Sequence, residues 1–202
     1  DLVKDIDISF LATNNNFLRE SIKNYLLINY NNNSITEHTK EISYSSLYGL
    51  PQENPQYFNI LQRSKIVVNI PGYGWDCGRY WEAISNKAIL LTYKIDIEIP
   101  NEFEDEKHIF SFTTLEQFKE KIEFCINNPM IVNAMSIRAY EHLLSFHTTK
   151  KRAEYFLEII HLNYKKDVFV NYNNIKNIKF NTISIFENQK FYLIKKIKNW
   201  KF

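Results

Sequence analysis

Two apolar runs, Ile66-Val67-Val68-Asn69-Ile70 and Ala88-Ile89-Leu90-Leu91, flank a glycine-rich turn and a short helical pattern at about 78–86. Runs this short and this apolar suit strands buried on both faces rather than one. Two such strands joined through a helix pair in parallel, since antiparallel neighbours need only a tight turn. The alternation extends in both directions. Residues 6–12 make a first strand, and Phe17, Ile22, Leu26 and Leu27 recur at helical spacing over 15–28. A loop at Asn31-Asn32-Asn33-Ser34 leads to a polar edge strand over 35–42, a turn-rich stretch over 49–55 and a helix over 57–63. After the second apolar run, an acidic loop over 100–107 precedes a short strand over 109–112. Thr113 or Thr114 caps the next helix, whose stripe is Leu115, Phe118, Ile122 and Ile126 and whose end is Asn127-Asn128-Pro129. Helices over 130–145 and 149–161 complete the body. The expected class is α/β, a doubly wound parallel sheet covered on both faces.

At 202 residues the chain holds one full domain with a small appendage. Its 15 Phe, 13 Tyr and 3 Trp supply a core despite many Asn and Lys. The first residue is Asp1, so a processed chain or a piece of a longer protein is expected. No apolar run approaches bilayer length and no signal-peptide pattern is visible. Cys77 and Cys125 are far apart, which gives neither a disulfide framework nor a metal-ligand cluster, and a cytoplasmic location is expected. The formal charge of +2 hides an asymmetry: residues 162–202 hold nine lysines against Asp167 and Glu187, a net +7, leaving −5 for residues 1–161. A boundary near 162 follows, between a domain over 1–161 and a basic tail over 162–202. In the tail, Val168-Phe169-Val170 and Ile183-Ser184-Ile185-Phe186 read as strands and 191–200 as a basic amphipathic helix.

Three of the chain's four glycines, Gly72, Gly74 and Gly78, fall between the first apolar run and the helix over 78–86. In a chain so poor in glycine, such a cluster marks unusual backbone angles or a close approach. A glycine loop between a strand and a helix start presents backbone amides to phosphate. Arg79 sits in the first helical turn, where a cation opposes the helix dipole and needs an anion to justify it. Glu82 lies one turn later on the same face, placed to accept hydrogen bonds from ribose or sugar hydroxyls. The plain alternative is a structural turn with an Arg79–Glu82 surface pair.

The stretch Ser64-Lys-Ile-Val-Val-Asn-Ile-Pro-Gly-Tyr-Gly-Trp-Asp-Cys-Gly-Arg-Tyr-Trp-Glu-Ala83 resembles the donor-side half of GT-B glycosyltransferases, nearest to the group 1 type related to spore-maturation glycosyltransferases. The same order continues in Ile99-Pro-Asn-Glu-Phe103, His108-Ile-Phe-Ser-Phe112, the closing Asn128-Pro129 and His147-Thr-Thr-Lys-Lys-Arg152, so the resemblance covers about 5–160. It implies a Rossmann-like domain, one half of a GT-B fold, that binds a nucleotide-diphosphate sugar. The implied substrate-binding residues are Gly72, Tyr73, Gly74, Asp76, Gly78, Arg79 and Glu82, with diphosphate on Gly72, Gly74 and Arg79 and ribose on Glu82. Many relatives carry a second acid where Gly74 stands, and Asp76 is the nearby substitute. Arg79 is the implied catalytic residue, stabilising the leaving group without a metal or other cofactor. The implied acceptor is a glycan, a lipid or a protein, with polysaccharide biosynthesis as the setting. An acceptor-side domain is an expected partner, and without one the chain is expected to bind donor without transferring it.

Other clusters carry less. Asp5-Ile6-Asp7 and Asp96-Ile97-Glu98 look like metal-binding acid pairs, but the first opens a strand, whereas ligands in open sheets lie beyond the strand carboxyl ends. Asn14, Asn15, Asn16 and Arg19 follow the first strand on the ligand side, with Arg19 read as a surface helix arginine in preference to a phosphate ligand. His108, His142 and His147 show no zinc spacing. Thr148 reads as a helix cap with Arg152 packing nearby. A dinucleotide fingerprint is excluded: no glycine follows the first strand, and Gly72-Tyr-Gly-Trp-Asp-Cys-Gly78 has one residue too many. The tail's lysines and aromatics suit anionic lipid, hence a peripheral membrane contact, or else the tail is a plain linker or the start of another domain; nucleic acid is not the expected partner. The competing functional classes are a non-catalytic nucleotide-binding module and a structural α/β interaction domain.

Overall fold

A computed structural model of the chain describes residues 3–12, 16–31, 34–37, 55–72 and 74–171, except for the side chains of 37 and 162–171. Eleven elements run through them. They are β1 (Ile6–Leu11), α1 (Phe17–Asn29), β2 (Ser34–Glu37), α2 (Pro55–Arg63), β3 (Ser64–Asn69), α3 (Gly78–Ser85), β4 (Ile89–Tyr93), β5 (Phe110–Phe112), α4 (Leu115–Asn127), α5 (Pro129–Phe146) and α6 (Thr149–Asn171). The five strands form one sheet in the order β2-β1-β3-β4-β5, and every pairing is parallel.

Four of the helices begin for local reasons. Asn16 caps α1 by accepting the Arg19 amide at 2.9 Å, and Thr114 caps α4 by accepting the Gln117 amide at 3.2 Å. Pro129 opens α5, where its missing N–H costs nothing. Thr148 accepts the Lys151 amide at 3.2 Å at the start of α6.

Two apolar layers lie on the two sheet faces. Tyr57, Ile60 and Leu61 of α2, Tyr80, Ala83 and Ile84 of α3, and Ala139 and Leu143 of α5 cover Val67 and Leu90. Ile22 and Leu26 of α1, Phe118, Ile122 and Cys125 of α4, and Val132 and Met135 of α5 cover Ile66, Val68, Ile89 and Leu91. Central strands clad on both sides explain why their sequence runs apolar instead of alternating. The expected doubly wound α/β class is the one observed.

Some expectations change. The helix expected over 149–161 runs from Thr149 to Asn171, so Val168-Phe169-Val170 is helical and not a strand. The chain divides into two compact units, Asp1–Arg152 and Ala153–Phe202. Of the expected edge strand over 35–42, residues up to 37 form β2 and the rest lie outside the described residues. Asn14, Asn15, Tyr73, the turn over 49–54, the strand over 183–186 and the basic helix over 191–200 also lie outside them. Among the described residues no helix is long and apolar enough to cross a membrane.

Candidate functional site

The strand order places the glycine loop. From β1 the chain crosses to β2 through α1 on one face; from β3 it crosses to β4 through α3 on the other. The carboxyl ends of the adjacent strands β1 and β3 therefore border the crevice where the winding reverses, the usual ligand position in open α/β sheets. Two helices start there from opposite faces, and each carries an arginine in its first turn.

Arg19 is not the surface residue the sequence suggested. It is buried, and its Nη2 donates to the Ile70 carbonyl at 2.7 Å, tying α1 to the end of β3. Arg79 is also buried, at 9% exposure, and its Nε and Nη1 have no hydrogen-bond partner among the described residues. A buried guanidinium without acceptors is costly unless something else supplies them. No Arg79–Glu82 pair forms. Glu82 Oε2 instead accepts a 2.6 Å hydrogen bond from the Tyr57 hydroxyl of α2, a residue only 2% exposed.

Gly72 and Gly78 serve close approach, and none of the described glycines has positive φ. A Cβ on Gly72 would lie 3.0 Å from Arg19 Nη2, and one on Gly78 would lie 3.3 Å from Glu82 Oε1. A Cβ on Gly74 would meet nothing within 4 Å. Arg19 thus packs under the start of the loop, and the Glu82 carboxylate folds back over the start of α3. Asp76 is exposed and accepts from Trp81 Nε1 at 2.9 Å, which fastens the loop to α3. The α3 N-cap residue, Cys77, makes no side-chain capping bond. The helix start therefore has amide groups and a dipole to offer an anion.

Beyond the loop, the sheet end carries further polar and aromatic groups. Buried Asn69 donates to Thr92 Oγ1 at 3.1 Å, and its own Oδ1 has no partner among the described residues. Trp75, 39% exposed, stacks near-parallel on Tyr93 with ring centroids 6.4 Å apart. Sequence reasoning missed Tyr57, Asn69 and the burial of Arg19. Only the polar Asn69 inside an apolar run offered a signal.

The remaining candidates fall elsewhere. Asp5 takes both Nε and Nη2 of Arg63 (2.7 and 2.6 Å), which holds its carboxyl below the ordinary value, and Asp7 pairs with Lys65 at 2.6 Å. Both lie at the amino end of the sheet. A cavity of about 410 Å³ opens at that end, lined in part by Lys4, Asp7, Lys65, Lys87 and Cys125. Its cations are already engaged. Lys4 Nζ donates to the carbonyls of Ser64, Asn86 and Gln62 at 2.6, 2.9 and 3.3 Å, and Lys87 lies over the Tyr140 ring. Burial, with the Lys87 charge, pushes the Lys4 amine down to about 8.

His108, His142 and His147 gather around Phe103, where the Nε2 atoms of His142 and His147 lie 2.7 and 2.8 Å from the Asn101 carbonyl. Arg152 lies 4.4 Å above the Trp81 ring. Among the described residues no group of three metal-ligating side chains converges.

Fold and site define a doubly wound α/β domain with two buried arginines beside the glycine loop at its switch point. A family model described as glycosyl transferase-like matches residues 36–158, and the chain belongs to that family. No curated protein is significantly similar in sequence. Among solved structures, TarM aligns over 78% of this chain and 35% of its own, at 14% identity and a TM-score of 0.49. The C-terminal domain of a group 1 glycosyl transferase (LpcC) from Francisella tularensis aligns over 73% of this chain and 89% of its own, at 13% identity and a TM-score of 0.47. This chain spans about a third of the length of TarM.

Proposed function

We propose that this domain binds the nucleotide-diphosphate sugar donor of a glycosyl transfer reaction. The observation that carries the reading is Arg79, a buried guanidinium whose Nε and Nη1 lack partners among the described residues, in the first turn of a helix with no side-chain cap. A diphosphate supplies the missing acceptors. Its oxygens meet the α3 amides and Arg79, with Arg19 adding positive charge from the opposite side of the crevice. Glu82, held over the same helix start, accepts from the ribose hydroxyls.

In the reaction, the bond between the sugar's anomeric carbon and the diphosphate oxygen breaks and negative charge grows on the diphosphate. Arg79 and the helix start stabilise that charge, and the reading assigns no metal to the task. The acceptor, a glycan, lipid or protein, approaches the sugar from a partner domain. The setting proposed is a cytoplasmic enzyme of polysaccharide synthesis, with the basic tail as a peripheral membrane contact.

Titration calorimetry with UDP, GDP and their sugars tests the reading. Wild type binds at least one of them, chelator leaves the affinity unchanged, and Arg79→Ala weakens it by about 10- to 100-fold, the worth of about 1.5–3 kcal/mol in lost charged hydrogen bonds. Binding to none of them would refute the assignment. Binding with full affinity in Arg79→Ala would move the diphosphate elsewhere. Donor hydrolysis or transfer assays then separate an enzyme from a binding module.

A further inference from the structure

We propose that Tyr57 is a positioning residue that sets the domain's preference for ribose over deoxyribose, acting through Glu82. The inference rests on the reading of Glu82 as the acceptor of ribose hydroxyls. Tyr57 belongs to α2, an element apart from the glycine loop, and is 2% exposed. A buried phenol needs a partner for its hydroxyl. It takes the Glu82 carboxylate at 2.6 Å, a short bond strengthened by the acceptor's charge. Its ring is fixed in turn, edge-on to Phe58 at 5.2 Å.

This bond determines what Glu82 can do. A glutamate side chain has three rotatable torsions, and freezing them at the moment of binding costs affinity. Tyr57 fixes Oε2 before any ligand arrives. The other oxygen, Oε1, lies 3.3 Å from the place of a Cβ on Gly78, over the opening turn of α3. Oε1 makes no hydrogen bond to the described residues and keeps its lone pairs for a hydroxyl donor. A carboxylate held this way discriminates by an unpaired-group penalty: a nucleotide lacking the hydroxyl leaves Oε1 desolvated and unmatched.

The test compares UDP and GDP with their 2′-deoxy and 3′-deoxy counterparts by calorimetry, in wild type, Tyr57→Phe, Glu82→Ala and the double variant. Phenylalanine keeps the ring and its packing and removes only the hydroxyl, and a melting curve checks that the fold is intact. The expected result is that wild type prefers a ribonucleotide over one deoxy counterpart by roughly tenfold or more. Tyr57→Phe reduces that ratio several-fold by weakening the ribonucleotide and sparing the deoxynucleotide. In the Glu82→Ala background, Tyr57→Phe changes nothing further. A purely structural tyrosine would weaken both ligands alike and leave the ratio untouched, and that outcome overturns the proposal. Equal loss on adding Tyr57→Phe to Glu82→Ala overturns it as well. Failure of wild type to bind either diphosphate would take down the donor reading itself, and this proposal with it.

Discussion

At Gly72, Gly74 and Gly78 the same amino acid meets three different surroundings, and substitution by alanine separates them. Gly72→Ala drives a Cβ to 3.0 Å from Arg19 Nη2, a group already anchored on Ile70, so overpacking of about 1–3 kcal/mol is expected in urea denaturation. Gly74→Ala meets nothing within 4 Å and leaves stability and nucleotide affinity unchanged or slightly improved. Gly78→Ala is the informative case. Alanine suits a helix better than glycine by up to about 1 kcal/mol. Its Cβ, however, falls 3.3 Å from Glu82 Oε1 and displaces the carboxylate. Melting temperature should hold or rise while nucleotide affinity drops several-fold; a variant that keeps wild-type affinity would show that Glu82 need not sit over the helix start. The glycine cluster was visible in the sequence and drew attention to the loop. Its purpose was not, because a close approach depends on side chains from α1 and α3 that no local pattern brings together.

Among the elements, the connection between β4 and β5 has the clearest dependence on conditions. It is pinned to α5 and the residue after it by His142 and His147, whose Nε2 atoms lie within hydrogen-bond distance of the Asn101 carbonyl. His108 Nδ1 accepts the Glu104 amide at 3.1 Å, which requires an unprotonated nitrogen. Burial pushes the His108 and His147 imidazoles below their ordinary value of 6.5. For His108 the charges of His142, Lys107 and Arg138 add to this and Glu104 opposes it; for His147, the Asn101 carbonyl opposes while His142 and Arg152 add. The unfolded chain then takes up protons first on acidification. Stability from these two groups is complete above about pH 6.5 and falls as the pH drops below it. Melting temperatures between pH 8 and 5 should show that decline. His108→Gln, which retains an acceptor for the Glu104 amide without titrating, should make it shallower. An unchanged slope would remove His108 from the account. The sequence showed the three histidines as scattered positions with no metal spacing; only the fold of the loop around Phe103 makes them neighbours.

At the largest scale, the two-faced sheet carries the core of the unit Asp1–Arg152 and positions the candidate site. Leu90 and Leu91 are adjacent in β4 and fully buried, one in each layer. Leu90→Ala and Leu91→Ala should each cost about 2–5 kcal/mol in denaturant unfolding, because neither face can shed its cover of helices. A loss near zero at either position would mean that its layer is not packed as described.

The strand–helix alternation, the parallel class and most element positions up to α5 were legible because apolar periodicity is a local signal. Helix α6 outran its expected end, since the basic composition that suggested a boundary near 162 does not itself stop a helix. The sequence alone determined that this is a doubly wound α/β domain whose glycine loop follows a buried strand and precedes a helix bearing Arg79 and Glu82. Only the tertiary structure decided that this strand lies beside β1, so that the loop sits where the winding reverses. It also decided that Arg19 is buried against the loop, that Arg79 is left without partners among the described residues, and that Glu82 is held by Tyr57. Strand order and contacts between distant side chains depend on how layers pack. Packing is settled by the whole chain at once, not by any stretch of it.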